Sequence, residues 1–446
     1  MSPSFSPCKI HDAAVAGISS RVRQFHEFGS PFRIYHGTTN STRKSSRRHD
    51  NVVDISRLNL VLSIGKKTAI VEPNVPMDKL VEETLKRGLI PPVVMEFPAD
   101  LRTHLWGGGC RLDYMDGILF ARDHGVVCLG KLVDAVPERT EVKTFSKPWD
   151  DWFYINAENM LADASLQTWT EYIPIQDYLF RYERGAFWIS KYTYRYFAVP
   201  LNRFTRWLLD TYTHTRVMYN ALHHSGLSYK YIIQDVAIPY KNTSEFVSYL
   251  DINFRNYPLW LCPLRMQGKS PSSGYGLLAE APTQRVDEKL EIDRPDMMLN
   301  FGVWGPGPSK LDDFVAWNKA FESELRNLGG QKWLYAHTYY TEDDFWSTYG
   351  NRRQYDDLRA KYHASSLPSI YDKVRMREES QTGGWWMWLY VMFWSIWPLA
   401  GLYGWVLCVL SEEYLLPRKG LGLPWVPRRK QNRLRPVACC NAEEQK

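Results

Sequence analysis

At 446 residues, with 23% charged side chains and a net charge of +6, the chain is long enough for two or three domains, and its charge is too mild to call for a nucleic-acid partner. Aromatics are frequent, with 18 Trp, 27 Tyr and 19 Phe, which suits large apolar clefts, membrane contact or dense cores. The seven cysteines are odd in number and include no CxxC pair, arguing against structural zinc or a disulfide framework and for reduced thiols in a cytosol-facing compartment.

The opening MSPSFSPCKI has no apolar run, so no cleavable signal peptide is expected. Ile10, Val15, Ile18, Val22 and Phe25 recur at helical spacing between Lys9 and Phe28. A short strand over Phe32–His36 opens into HGTTNSTRKSSRR, a loop with a glycine, several hydroxyls and four basic side chains. Free backbone N–H groups and positive charge can cradle a phosphate, although a solvated basic loop reads the same way. Strands follow at Val52–Ile55, Leu60–Ile64 and Thr68–Glu72, then a helix from Met77 to Arg87 closed by Gly88, in a βαβ-like order. Gly107, Gly108 and Gly109 lack a GxGxxG frame and read as a flexible junction.

From Leu112, LDYMDGILF and GVVCLGKLV form a hairpin. His214 and the pair His223-His224 have no acidic partner at ligand spacing, so the pair reads as a surface pair and no metal site is expected. Tyr229 to Leu264 reads as strand, helix, strand. Its first strand is apolar on both faces except at Gln234 and Asp235, which the residues alone favour as a strand-end turn. Asn242 with Glu245 can form a capping box, and the two prolines of YPLWLCP suit an edge or cleft strand. A strand at Met297–Trp304, a helix from Leu311 to Leu328 and a strand over Lys332–Tyr340 complete an α+β sheet with helices on one face.

Residues 380–411 carry no charge, and Trp385–Leu410 is long enough to cross a bilayer core, with tryptophans near both ends. One C-terminal transmembrane helix over 385–410 is therefore expected, with an in-plane anchor as the alternative and a basic tail over 411–446.

QDVAIP followed by YPLWLCP resembles the central part of the Delta(24)-sterol reductases (the 24-dehydrocholesterol reductase, or Diminuto, family), FAD-linked oxidoreductases of the vanillyl-alcohol-oxidase/p-cresol-methylhydroxylase superfamily. KPWDDWFYINAEN, EYIPIQDYLFRYERGAFW, LYAHTYYTEDDFWSTYG and LPSIYDKV resemble further segments of that family in the same order. The resemblance implies a first FAD-binding subdomain over 1–98 and a substrate (cap) domain with the closing family segment over 112–378. Between them, at 99–111, the glycine-rich second flavin subdomain is missing, which makes the FAD-binding (p-cresol-methylhydroxylase-type) domain partial.

It further implies a membrane-anchored reductase of the Δ24 double bond of sterol side chains, using FAD with NADPH as electron donor. Its expected place is the endoplasmic reticulum, with the catalytic part facing the cytosol. The flavin cradle would be His36, Gly37, Thr38, Thr39, Asn40 and Ser41. An isolated alkene accepts hydride only once protonated toward a tertiary cation, so the site needs a proton donor opposite the flavin and a dry apolar slot. Tyr172, Glu171 and Asp235 are the candidate donors, and Tyr257 and Trp260 the candidate slot residues. Two alternatives stay open: another flavin oxidoreductase of the superfamily, or a membrane-anchored lipid-binding remnant without enzymatic activity.

Overall fold

The computed structural model describes residues 7–36, 41, 49–91, 112–162, 168–265, 297–376 and 397–411. The junction at 99–111 and the tail beyond 411 lie outside them.

Helix α1 (Pro7–Glu27) buries Phe25, whose ring stacks on Phe32 at 5.1 Å. Strand β1 (Arg33–Tyr35) pairs in parallel with β2 (Val52–Asp54). Strand β3 (Val61–Ile64) pairs antiparallel with β4 (Ala69–Val71), followed by α2 (Met77–Leu85). The expected βαβ order is therefore corrected to a parallel pair and a separate hairpin. The β3–β4 link closes with Gly65 N–H donating to the Thr68 carbonyl, far too short for a parallel crossover. The Glu72 carboxylate ties this hairpin to α1, accepting from Leu60 N–H and meeting the His11 ring.

The cap is organised by a six-stranded sheet of order β10-β7-β9-β8-β5-β6. Its strands are β5 (Tyr114–Ala121), β6 (His124–Gly130), β7 (Tyr231–Pro239), β8 (Leu259–Arg265), β9 (Met297–Pro306) and β10 (Gln331–Lys332), every pairing antiparallel. The architecture is α+β. The strand period of two splits β7 between two cores. Ile232, Val236 and Ile238 pack on Phe246 and Leu250 of α8 (Thr243–Asn253) and Phe314, Phe321 and Leu325 of α9 (Leu311–Asn327). Each such fully buried side chain is worth about 1.5–3 kcal/mol. Ile233 and Trp304 face the opposite way, into an aromatic layer with Trp152, Trp188, Tyr192 and Tyr194.

That layer comes from short helices: α3 (Phe153–Ala162), α4 (Ile175–Leu179), α5 (Ile189–Tyr196), α6 (Arg203–Leu208) and α7 (Thr215–Ser225). The expectation of helices on one face is thus corrected, because segments this short give little periodicity to read. Gln234 and Asp235 lie mid-strand rather than at a turn: Gln234 reaches the Asn318 side chain on α9, and Asp235 lies on the aromatic side. Strand β8 is internal; Pro258 precedes it and Pro263 lies beyond the three residues paired to β5, so neither missing N–H interrupts that pairing. Asn242 precedes α8 without a side-chain cap, donating instead to the Leu328 carbonyl.

The expected strand over Lys332–Tyr340 shrinks to Gln331–Lys332, because Lys332 turns inward to the Glu322 carboxylate at 2.8 Å and both are fully buried. Glu322 also accepts from Thr338 and from Tyr339 N–H, drawing the chain out of the sheet. The closing segment forms α10 (Glu342–Tyr349), α11 (Arg352–Lys361) and α12 (Ile370–Val374).

The expected span over 385–410 falls only partly within the described residues. Among the described residues no helix is long and apolar enough to cross a membrane. Its described part is α13 (Leu399–Ser411), 13 residues that begin after Pro398 and pack on α7, with Cys408 against the Val217 carbonyl. Residues 385–396 lie outside the described residues.

Candidate functional site

Asp235 stands opposite Gly302 of β9, and Trp260 of β8 pairs with the same glycine from the other side. A Cβ at Gly302 would lie 2.8 Å from Trp304 and 3.1 Å from Trp260, so only glycine lets the two indoles close over the strand. They stack at 6.0 Å, and Phe187 packs on them at 4.4 and 5.5 Å. Phe187 is aimed there by a turn in which Gly185, Ala186 and Phe187 all have positive φ, of 78°, 47° and 60°. Left-handed backbone at two non-glycine residues costs on the order of 1–3 kcal/mol each, and packing holds it: Gly185 sits so close that a Cβ would fall 2.7 Å from Trp152.

On this aromatic wall Asp235 is half-buried, with Tyr335 and Asn300 beside it. Burial raises its carboxyl to about 7, outweighing the opposing pull of hydrogen bonding from Tyr335 and Asn300. Burial, reinforced by the Asp235 charge, likewise pushes the Tyr335 phenol well above its ordinary value. Asp235 Oδ1, both polar atoms of the Asn300 amide and Trp304 Nε1 are buried without a well-aligned partner. A carboxyl titrating near neutrality in an apolar wall can hold and release a proton at working pH.

A second polar centre lies on the same face. Asp116 Oδ2 accepts from Arg181 Nη2 at 2.9 Å, Tyr182 OH at 2.7 Å and Trp260 Nε1 at 3.0 Å. This fixes the Trp260 ring and compensates the buried arginine. The Cys128 thiol, opposite Asp116 in the register, is pushed up by burial first and by the Asp116 charge second, so it stays protonated.

Of the residues singled out from sequence, the fold brings Asp235 and Trp260 to this wall, with Ser41 adjoining: its hydroxyl donates to the Tyr335 carbonyl at 2.7 Å. His36 is exposed at the end of β1, and Gly37, Thr38, Thr39 and Asn40 lie outside the described residues. Glu171 is elsewhere, its two oxygens accepting from Asn156 Nδ2. Tyr172 bridges Val142 through its backbone. Tyr257 packs on the helix-side core with its hydroxyl donating to Asp251, away from Trp260. The expectation that His214 lacks an acidic partner is corrected: it sits 3.5 Å from both Asp210 and Glu183. Sequence reasoning missed Tyr335, Asn300, Trp304 and Asp116; of these only Asp116, an acid inside an apolar strand, left a signal.

Over 274 residues the chain is 23% identical to the Delta(24)-sterol reductase of Rattus norvegicus, covering 58% of this chain and 48% of the relative. It is 23% identical over 277 residues to the Delta(24)-sterol reductase homolog of Caenorhabditis elegans (59% and 47%). The Delta(24)-sterol reductase of Arabidopsis thaliana matches at 23% over 286 residues (60% and 49%). The chain is thus similar to the Delta(24)-sterol reductases over somewhat more than half of its length. It spans about half the length of the curated relatives it matches. No family model matches it, and no solved structure does.

Within the Delta(24)-sterol reductase frame, the motifs of the resemblance have largely architectural tasks. Arg184 of RYERGAFW donates to the carbonyls of Phe145, Pro148 and Asp150 around KPWDDW and pairs with Asp210. The N-terminal part, for which the resemblance implies FAD, is a poorer fit to that cofactor. Its four strands form two separate two-stranded sheets, β4 is exposed along its whole length, and Ser41 spends its hydroxyl on the cap. The described residues do not make an enclosed flavin bed.

Proposed function

We propose that the chain supplies the sterol-holding and proton-delivering part of a Delta(24)-sterol reductase that works with FAD and NADPH. Beyond the similarity to these reductases, the observation that carries this reading is a carboxyl titrating near neutrality inside a wall of Trp304, Trp260 and Phe187. The wall offers an apolar slot for a sterol side chain and excludes water, so a carbocation forming there is not hydrated. Asp235, protonated over much of its population near pH 7, delivers the proton, and Tyr335 and Asn300 orient its carboxyl. Glu171 and Tyr172, engaged in architectural ties, are not used in this reading. The redox half is FAD chemistry and needs a complete bed.

Attachment to the endoplasmic reticulum through the uncharged stretch 380–411, with the cap on the cytosolic side, is part of the same proposal. The full chain is expected in the membrane pellet and a chain ending near Ser380 in the supernatant.

The test combines binding and turnover. A sterol with a Δ24 double bond should quench the tryptophan fluorescence of the chain, and Trp260→Ala should weaken that binding at least tenfold while Lys241→Ala leaves it unchanged. With the missing flavin subdomain inserted after Pro98, NADPH-driven saturation of the side chain should appear and Asp235→Asn should abolish it. Equal binding by the Trp260→Ala and Lys241→Ala variants would move the slot elsewhere. The open flavin half favours one second reading, a lipid-binding remnant; sterol binding without turnover in the completed chain would select it.

A further inference from the structure

Helix α6 and helix α13 expose apolar side chains in an arrangement that ordinary surface packing does not explain. On α6, Phe204, Trp207 and Leu208 stand at i, i+3 and i+4 and are 64%, 49% and 57% exposed. The inner side of the same helix is engaged: Arg206 pairs with Asp151, and Asn202 and Thr205 form a reciprocal capping box, so the outward face is held rigidly. Along α13 the inner stripe Ala400, Gly404 and Cys408 is buried, and the stripe Leu402, Val406 and Leu410 is exposed. Gly404 permits this close docking, since a Cβ there would lie 2.6 Å from Ser225 of α7. The Trp405 ring meets Tyr212, just beyond α6, at 5.4 Å, and Trp397 Nε1 donates to the Tyr196 carbonyl. The two helices are thereby joined through neighbouring residues.

We propose that α6 and α13 form one membrane-contact face that lies in the plane of an anionic lipid surface. The chemistry of the face identifies the partner. From Arg195 to Leu209 there is no acid, Arg206 is neutralised by Asp151, and Arg195 and Arg203 are exposed, which matches aromatic insertion below a layer of negative headgroups. Because α13 docks its Ala400, Gly404 and Cys408 stripe on the cap, it lies along the surface with the opposite stripe facing outward. The proposal rests on the membrane attachment described above but assigns it to a folded face of the cap, which would bring the aromatic wall toward the lipid that supplies a sterol.

The test uses the full chain, with benzoylphenylalanine placed at position 204 and, as a control, at the exposed Tyr362. After irradiation with vesicles of phosphatidylcholine and phosphatidylserine, position 204 should crosslink to lipid and position 362 should not. Omitting phosphatidylserine should lower the yield severalfold, and Arg203→Glu should do the same. The double variant Phe204→Ser/Trp207→Ser should keep the melting temperature while vesicle binding falls at least tenfold. Crosslinks from position 204 into the chain itself, no crosslink to lipid, or equal yields with and without phosphatidylserine would overturn the proposal. Loss of membrane pelleting on truncation near Ser380, with lipid crosslinking at 204 retained, would instead separate the two attachments.

Discussion

The Ser41 hydroxyl and the Tyr335 carbonyl, 294 residues apart, share a 2.7 Å hydrogen bond. Ser41 closes the loop that the family resemblance assigns to the cofactor, and Tyr335 flanks Asp235. This contact joins the N-terminal part to the polar centre of the cap wall. It is a neutral hydrogen bond worth about 1 kcal/mol, so its weight is positional. Replacing Ser41 with Ala should lower the melting temperature slightly, and in the flavin-completed chain it should reduce kcat more than sterol affinity. A change in sterol affinity alone would mean that the contact serves the slot.

Asp235 gives the clearest pH signature. Its folded-state value of about 7 lies above the ordinary 3.8, so between about pH 4 and 7 the native state binds more protons than the unfolded chain, and stability falls as pH rises through that window. Asp235→Asn removes the ionisation penalty. The variant should match the parent in melting temperature below about pH 4 and exceed it near pH 8, while losing turnover in the completed chain. Gaining stability and losing activity together is the mark of a functional carboxyl; equal melting curves at both pH values would remove Asp235 from the acid role.

The Asp210–His214–Glu183 group behaves oppositely at its two ends. Burial lowers His214, but its hydrogen bonds to the Asp210 and Glu183 carboxylates leave it raised overall, so its contribution is complete below about pH 6.5 and is lost as pH rises through the higher folded value. Burial raises Asp210, but His214 and Arg184 leave it lowered overall, so its contribution is complete above about pH 4 and is lost as pH falls through the lower folded value. The melting-temperature difference between the parent and His214→Gln should therefore be largest between those limits. A difference independent of pH would mean that the imidazole acts by packing alone.

Local pattern predicted local elements well. The alternation of Ile232, Val236 and Ile238 with Tyr231, Ile233 and Ala237 marks a strand covered on both faces, and Phe314, Phe321 and Leu325 mark a helix; both occur. Long-range pairing left no such trace. Nothing around LYAHTYY says that Lys332 is drawn inward by Glu322 or that Tyr335 lands beside Asp235, because side-chain partners ten and a hundred residues away are set by topology. The aromatic wall was hidden for a related reason: Trp304, Trp260 and Phe187 come from three elements, and the left-handed turn at Ala186 and Phe187 has no local signature beyond Gly185. A hydropathy window finds 385–410 apolar, but it cannot see that α13 spends one stripe on α7.

The buried Lys332–Glu322 pair should be unforgiving. Lys332→Met leaves a carboxylate enclosed with fewer donors, and breaking a buried pair from one side costs about 3–5 kcal/mol. The double variant Lys332→Met/Glu322→Leu should be less damaging than Lys332→Met alone in chemical denaturation. If the two destabilisations simply add, the pair is not coupled and the local turn is held by Thr338 and Tyr340.

The flavin prediction follows from the open N-terminal half. A cofactor with a pyrophosphate and a three-ring headgroup needs several charge-assisted hydrogen bonds and apolar walls on more than one side. Here β1–β2 and β3–β4 stay separate, Ile34 and Ile70 remain exposed, and the hydroxyl of Ser41 is committed to Tyr335. Unpaired strand edges beside exposed isoleucines are also an aggregation liability. Forfeiting half of the contacts of a tight cofactor lowers affinity by many powers of ten, since each 1.4 kcal/mol is tenfold. The 446-residue chain should therefore purify colourless and show only weak FAD binding by titration, whereas the version with the subdomain restored after Pro98 should retain FAD through gel filtration. Stoichiometric FAD copurifying with the chain in its present form would overturn this, and would place flavin-binding groups in residues 92–111.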